Sequence, residues 1–153
     1  IAYINSDTLL ANYTYFVTAM KALSDKQQKA SATLEKKGRA LQNSFVAVQK
    51  KVQNGELTAN QIAKEEQRLN NRQQALAAEE QKMAAEISQE NQEVQDTLYS
   101  NLQRVLQKYA DEHGFEYILT YAGMGMGSQV LVAPKESDIT PEILKILNAE
   151  GGE

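Results

Sequence analysis

Two stretches of the chain repeat an apolar residue at every seventh position, and this repeat constrains the fold more than any other feature. The repeat positions are Leu34, Leu41 and Val48 in the first stretch and Ile62, Leu69, Leu76 and Met83 in the second. A sustained seven-residue repeat is typical of helices that pack along one another as a coiled coil. The pattern therefore predicts two helices whose apolar stripes face each other.

The segment between the two stretches carries the signals that end one helix and begin another. Asn54-Gly55 is typical of a helix C-terminus, and the run from Thr58 to Gln61 matches a capping box. We therefore predict an antiparallel hairpin that turns at residues 54–57. The expected pairs across its seam are Val48 with Ile62, Leu41 with Leu69, Leu34 with Leu76, and Ala30 with Met83.

Charge and packing differ along this predicted hairpin. Residues 26–51 hold seven basic side chains and one acidic, whereas residues 56–96 hold nine acidic and four basic. A basic arm beside an acidic one favours the pairing, although each exposed ion pair contributes only about 0.2–0.5 kcal/mol. The seam is also thin, because Glu66, Gln73 and Glu80 are polar at companion positions and Gly38 faces them. We expect the arm to bend there.

Short β-forming segments at the two ends of the chain predict a small body. Residues 1–4 suggest a strand before a helix cap at Asn5–Asp7, and Phe115–Tyr121 with Gln129–Val132 suggest a β-hairpin. Thr140 is expected to cap a final helix. Three short strands are marginal in water, and their open edges invite pairing with another copy of the chain. Oligomerisation is thus a physical requirement of this architecture.

The predicted fold class is α+β, mainly α, with a long antiparallel coiled-coil helical hairpin that projects from a small β body. Residues 1–19 and 99–150 are assigned to a discontinuous oligomerisation body. Residues 20–98 are assigned to the arm, and residues 151–153 to a tail.

The sequence shows no constellation of residues typical of catalysis or cofactor binding. There is no cysteine, and the one histidine, His113, precedes Gly114 at a predicted helix end, where it meets the helix dipole. The run from Gly123 to Gly127 lacks the spacing of a phosphate-binding loop. A net charge of −4 and the lack of stacking aromatics in the arms argue against nucleic acid. We expect no enzyme activity, no catalytic residues, no metal and no cofactor.

The order of these elements resembles the Skp/OmpH-like periplasmic chaperone family over nearly the whole chain. The resemblance lies in the long polar hairpin and in three motifs: Ile1-Ala2-Tyr3-Ile4-Asn5, Gly114-Phe115-Glu116-Tyr117-Ile118-Leu119, and Ser137-Asp138-Ile139-Thr140-Pro141-Glu142-Ile143-Leu144. It implies a homotrimer in which strands of three subunits build a β-barrel and three hairpins surround a cavity.

The same resemblance implies that the protein holds unfolded outer-membrane proteins in the periplasm without ATP, after a signal peptide has been removed. A transient contact with the membrane surface is left open. This chain departs from the strongly basic familiar member because it is acidic overall. No lipopolysaccharide-binding motif of the family can be matched.

Two sets of residues are candidates for these roles. The client-binding candidates are Lys36, Lys37, Arg39, Val46, Lys50, Lys51, Leu57, Arg68 and Arg72. The candidates for the body or the oligomer interface are Ile4, Tyr117, Ile118, Leu119, Val130 and Val132. A simpler interpretation makes the charged residues a solvated helix face, and Leu41, Phe45, Leu69 and Leu76 are better explained by seam packing. Two other functions stay open: a cytosolic chaperone of prefoldin-like design, and a coiled-coil spacer that separates its partners.

Overall fold

A computed structural model describes residues 1–122 and 130–151 of the chain. The elements in chain order are β1 (Ala2–Asn5), α1 (Ser6–Asn12), α2 (Thr14–Gln53), α3 (Ala59–His113), β2 (Ile118–Tyr121), a short 3-10 helix (Lys135–Ser137) and α4 (Thr140–Glu150). The predicted class, α+β and mainly α, is confirmed.

The chain divides into two compact units. One, which we call the arm unit, is Leu23–Glu90 and holds most of α2 together with the first part of α3. The other, which we call the body unit, is formed by Ile1–Ala22 and Asn91–Glu153, so it combines both ends of the chain. Each unit has its own packing and is described separately.

The tip of the arm unit follows the local sequence signals. Helix α2 ends at Gln53, and Gly55 has φ +69°, a left-handed conformation that glycine adopts without steric cost. The backbone N–H of Thr58 donates to Gln61 Oε1 at 2.8 Å, and the N–H of Gln61 donates to Thr58 Oγ1 at 3.3 Å. This reciprocal pair is a capping box, so the predicted stop and restart of the hairpin are confirmed.

The seam of the arm unit is apolar but sparsely filled. Leu41 is 7% exposed and Leu69 is 2% exposed, and the other seven-residue positions are half-buried. Polar bonds also join the two helices, from Lys26 to Glu90, Lys37 to Glu79 and Arg72 to Ser44. The residue numbers of each of these three pairs add up to 116, so one antiparallel register holds along the unit. This register differs by a few positions from the predicted seam pairs, whose residue numbers add up to 110–113.

The body unit has a compact apolar core to which both ends of the chain contribute. Its buried residues are Ala2, Ile4, Leu9, Tyr13, Leu98, Val105, Ile139, Ile143 and Leu147. Strand β1 buries alternate residues, as expected for a strand with one face on a core. It pairs in parallel with β2, with Ala2 opposite Ile118 and Asn5 opposite Tyr121.

The predicted β-hairpin between residues 115–121 and 129–132 is wrong for the residues that the structure describes. Strand β2 starts at Ile118, because Phe115 stacks on Tyr109 instead, with ring centroids 6.3 Å apart. Its partner is β1, and residues 130–132 are not in a strand. Val132 is 90% exposed. The turn predicted over residues 122–127 lies outside the described residues from residue 123 onward, as does the start of the second strand at Gln129.

The ends of the short helices are set by asparagine and aspartate side chains. Asn5 caps α1 by accepting from the N–H of Thr8 at 3.0 Å, as the sequence predicts. The prediction that Thr140 caps α4 is wrong, because the N–H of Thr140 itself donates to Asp138 Oδ1 at 3.0 Å. The Thr140 hydroxyl is engaged elsewhere, since it accepts from the backbone N–H of Asn5 at 2.8 Å.

A break separates α1 from α2 at Tyr13, within the region where the sequence indicates weak helix formers. Asn148 of α4 bonds to both sides of this break. Its Nδ2 donates to the carbonyl of Asn12 at 3.0 Å, and its Oδ1 accepts from the N–H of Thr14 at 2.9 Å. One amide side chain therefore satisfies two backbone groups that a continuous helix would have paired internally.

Candidate functional site

The cations predicted to bind clients all lie in the arm unit and are exposed, but only some have acidic neighbours. Three form ion pairs: Lys37 with Glu79 at 2.6 Å, Arg39 with Glu35 at 2.5 Å, and Arg68 with Glu65 at 2.6 Å. Lys36, Lys50 and Lys51 are exposed on α2. The structure therefore divides the predicted set into cations partly neutralised by a neighbouring carboxylate and cations that face solvent.

The two apolar client-binding candidates differ in exposure. Val46 is 53% exposed on α2, which is unusual for a residue of this type in a helix that packs along a seam. Leu57 lies in the turn at the tip of the hairpin and is half-buried. Only Val46 thus presents most of its side chain to a partner.

A groove on the seam brings two of the predicted cations together with apolar residues. Its volume is about 290 Å³, and it is lined by Lys37, Ala40, Leu41, Arg72, Ala75, Leu76 and Glu79. Leu41 and Leu76 provide large apolar side chains, and the small side chains of Ala40 and Ala75 leave space beside them. The groove thus combines an apolar lining with charged side chains.

The charges at this groove do not cancel. Lys37 Nζ donates to both carboxylate oxygens of Glu79, at 2.6 and 2.7 Å, which makes a locally neutral pair. Arg72 Nη1 donates to the hydroxyl of Ser44 at 3.1 Å, which is a neutral acceptor. A guanidinium has five N–H donors, so Arg72 keeps donors for a further acceptor. The groove has a net positive charge at Arg72.

Two ion pairs that shift pKa values lie outside this groove. In the arm unit, a hydrogen bond to Glu90 raises the pKa of Lys26. In the body unit, a hydrogen bond from Arg104 lowers the pKa of Glu150, and the same bond raises the pKa of Arg104. Each of these pKa shifts favours the charged form of the group that it concerns, as expected beside an opposite charge.

The predicted interface residues of the body unit lie in different environments. Ile4 is 3% exposed and belongs to the core of its own chain, which leaves it little surface for another copy. Tyr117 and Leu119 are exposed, the latter by 42%, whereas Ile118 and Val130 are half-buried. Beside β2 lies a second groove of about 330 Å³ whose lining includes Leu102, Leu106, Phe115 and Ile118.

The sequence indicated neither groove. Tyr99 lines the second one and is 71% exposed, but in the sequence it is a single aromatic residue within a helical pattern. Ala40 and Ala75 are ordinary helix-forming residues, and they mark a site only because the hairpin places them beside Leu41 and Leu76. The predicted seam pairs did not bring them together, because their residue numbers add up to 110–113, whereas Leu41 and Ala75, which line the groove together, add up to 116.

Comparison with known protein families identifies the family of this chain, which the geometry of the grooves alone does not show. A family model described as outer membrane protein (OmpH-like) matches residues 1–147. The chain belongs to the OmpH-like family. The resemblance seen in the sequence is therefore confirmed. A search of curated protein sequences gave no match.

The fold of this OmpH-like chain is also similar to a solved structure. The crystal structure of a protein from Caulobacter crescentus CB15, named as a candidate OmpH-like outer membrane chaperone, matches with a TM-score of 0.81. The match covers 97% of this chain and 83% of that one, at 17% sequence identity. At this identity the comparison supports the shared fold.

Within residues 1–122 and 130–151, this OmpH-like chain shows no group of three or more His, Cys, Asp or Glu residues placed to bind a metal ion. The helices of the same residues include none that is both long and apolar enough to cross a membrane. The groove on the arm unit offers apolar contact, hydrogen bonds and charge.

Proposed function

We propose that this OmpH-like protein is an ATP-independent holding chaperone of the periplasm. It binds unfolded outer-membrane proteins between hairpin arms and keeps them from aggregating. The observation that carries this proposal is the family match over residues 1–147, and the name of the structural neighbour also supports a chaperone role. The exposed cations and the apolar groove of the arm unit suit a partner that offers both apolar and acidic groups.

We further propose that the working form is a homotrimer joined through the body. In the described residues, the sheet of the body has only two strands, and a sheet of that size is marginal without further pairing. Exposed Leu119 and Tyr117 lie on or next to β2. Other copies of the chain would cover these apolar groups and extend the sheet.

The test is a holding assay. A urea-denatured outer-membrane β-barrel protein is diluted into buffer without ATP, with and without one trimer equivalent of the chaperone, and aggregation is followed by light scattering. We expect scattering to be suppressed near a one-to-one ratio. Serum albumin at equal mass is the control for unspecific protection. If the protein protects no better than albumin, it is not a holding chaperone.

The same assay separates the alternative functions. A coiled-coil spacer would leave aggregation unchanged although it is folded and oligomeric. A prefoldin-like cytosolic chaperone would hold soluble cytosolic clients as well as it holds a membrane barrel. Fusing the complete natural N-terminus to a reporter enzyme that is active only in the periplasm would decide the compartment.

A further inference from the structure

We propose that the groove on the seam of the arm unit binds one large apolar side chain of an unfolded client together with an acidic residue beside it. This inference rests on the proposed holding function and names the sequence feature that the arm recognises. The partner is an extended polypeptide in which a phenylalanine or leucine is followed by aspartate or glutamate.

The size of the groove fits one side chain. A volume of about 290 Å³ equals the liquid volume of roughly ten water molecules at ~30 Å³ each. It lies at the lower end of the pockets that bind small molecules, which begin at about 300 Å³. It is thus suited to a single aromatic or aliphatic group of a flexible chain.

The lining supplies the apolar contact. Leu41 lines the groove but is only 7% exposed, so the seam holds it firmly. The side chains of Ala40 and Ala75 are exposed, and because they are short they leave space beside it. An apolar side chain placed between the two alanines would remove apolar surface from water on both partners, which is favourable in proportion to the area buried. A client side chain would thus fill the space that these alanines leave on the seam.

The charged side chains of the groove determine which client residue is favoured next to the bound apolar side chain. Because Lys37 and Glu79 neutralise each other, Arg72 is the group with donors left for a client, and its described partner is only the Ser44 hydroxyl. A carboxylate can accept two parallel N–H bonds from a guanidinium. A client lysine or arginine at the same place would instead be repelled by Arg72. The groove therefore prefers an acidic neighbour to a basic one.

The test uses three unstructured, fluorescein-labelled peptides that differ at one dipeptide: Phe-Asp, Phe-Asn or Ser-Asp in the same Gly/Ser-rich background. Their binding to the full chain is measured by fluorescence anisotropy, and the backbone amide shifts of Leu41 and Leu76 are followed by NMR. We expect the Phe-Asp peptide to bind most tightly and to shift both amides. Equal affinities for the three peptides would overturn the inference.

Two variants and a matched control locate the site. Ala75→Leu fills the groove and should weaken binding of the Phe-Asp peptide about five- to ten-fold, since the phenylalanine can no longer bury most of its apolar surface there. Arg72→Gln should weaken binding of the Phe-Asp peptide about two- to five-fold, which is the contribution of one exposed ion pair. It should also abolish the preference for the Phe-Asp peptide over the Phe-Asn peptide. Lys64→Gln removes one exposed positive charge of the same helix outside the groove and should change neither value.

These outcomes separate the groove from the general function. If the wild type holds a denatured barrel but Ala75→Leu binds the peptides as well as the wild type does, the groove inference fails and the holding function stands. The opposite result is also distinguishable: the wild type does not hold clients, yet it prefers the Phe-Asp peptide and Ala75→Leu loses this preference. In that case the groove binds the peptide as inferred, and the proposed holding function fails. Dodecanoate, a free fatty acid with an apolar tail and a carboxylate, is tested as well. If it binds to the wild type but not to Ala75→Leu, and none of the peptides binds, the groove is a site for free amphiphiles and the inference is overturned.

Discussion

Gly38 shows how a single residue can weaken a helix without being required by the geometry. It lies within α2, and a Cβ built at this position would meet no atom within 4 Å. Its backbone conformation is ordinary, unlike that of Gly55 or Gly114, which have positive φ values. The glycine at position 38 therefore lowers the stability of α2 through the entropic cost of ordering a flexible backbone, and no packing contact requires it.

We expect Gly38→Ala to stabilise the arm unit by about 0.5–1 kcal/mol, because alanine has the higher helix propensity and no clash opposes it. Urea unfolding followed by circular dichroism measures the change. Gly55→Ala is the matched control and should destabilise the protein, since residue 55 has φ +69°. An unchanged or lower midpoint for Gly38→Ala would mean that this glycine has a packing role not visible in the described contacts.

Among the elements, α4 is the one that ties distant parts of the body unit together. Ile143 and Leu147 are its fully buried apolar residues, at 0% and 1% exposure, and they fix the helix in the core. Asn148 then reaches the break between α1 and α2, and Glu150 forms a bidentate pair with Arg104 of α3. The apolar face provides the packing free energy, and the polar residues add bonds to the break between α1 and α2 and to the interior of α3.

Replacing Asn148 tests whether its hydrogen bonds from α4 stabilise the break between α1 and α2. Asn148→Ala removes both of its hydrogen bonds, leaves the carbonyl of Asn12 and the N–H of Thr14 to solvent, and should lower stability by about 1–2 kcal/mol. Hydrogen exchange should accelerate most at Thr14. Lys145→Ala, at an exposed position of the same helix, is the control. Unaltered protection at Thr14 would show that the break is determined locally.

The element scale also shows what the sequence can and cannot reveal. The helix boundaries at Gln53, Thr58 and His113 were predictable, because each depends on a cap or a glycine within a few residues. The pairing of β1 with β2 was not, because it joins segments more than 100 residues apart with no turn signal between them. The cap of α4 was missed for a similar reason: the Thr140 hydroxyl is occupied by Asn5 from the other end of the chain.

At the scale of the whole molecule, the two units differ in charge. The arm unit holds eleven basic and nine acidic side chains, and the remainder of the chain holds five basic and eleven acidic. The acidic character of this OmpH-like protein thus comes from the body. The arms themselves have a slight positive charge, so the cations proposed to meet clients are not outweighed within their own unit.

Assembly through the body is tested at Leu119. This side chain is 42% exposed in β2, and Leu119→Asp would place a charge where we propose that another copy packs. Replacing a leucine of the proposed interface by a charge removes apolar contact between the copies and buries that charge, so the proposed trimer should shift to monomers at micromolar concentration. Size-exclusion chromatography with light scattering measures the mass, and Thr120→Asp on the same strand is the control. A trimer of normal mass in Leu119→Asp would rule out this residue as part of the interface.

The parallel pairing of Ala2–Asn5 with Ile118–Tyr121 has a consequence for biogenesis. At synthesis rates of about 5–20 residues per second, roughly 6–23 s pass between the appearance of Ala2 and that of its partner Ile118. The hairpin of Leu23–Glu90 is complete well before that time, whereas the first strand has no template until β2 follows. A chain that emerges from its N-terminus can therefore complete the arm unit before the sheet of the body unit closes.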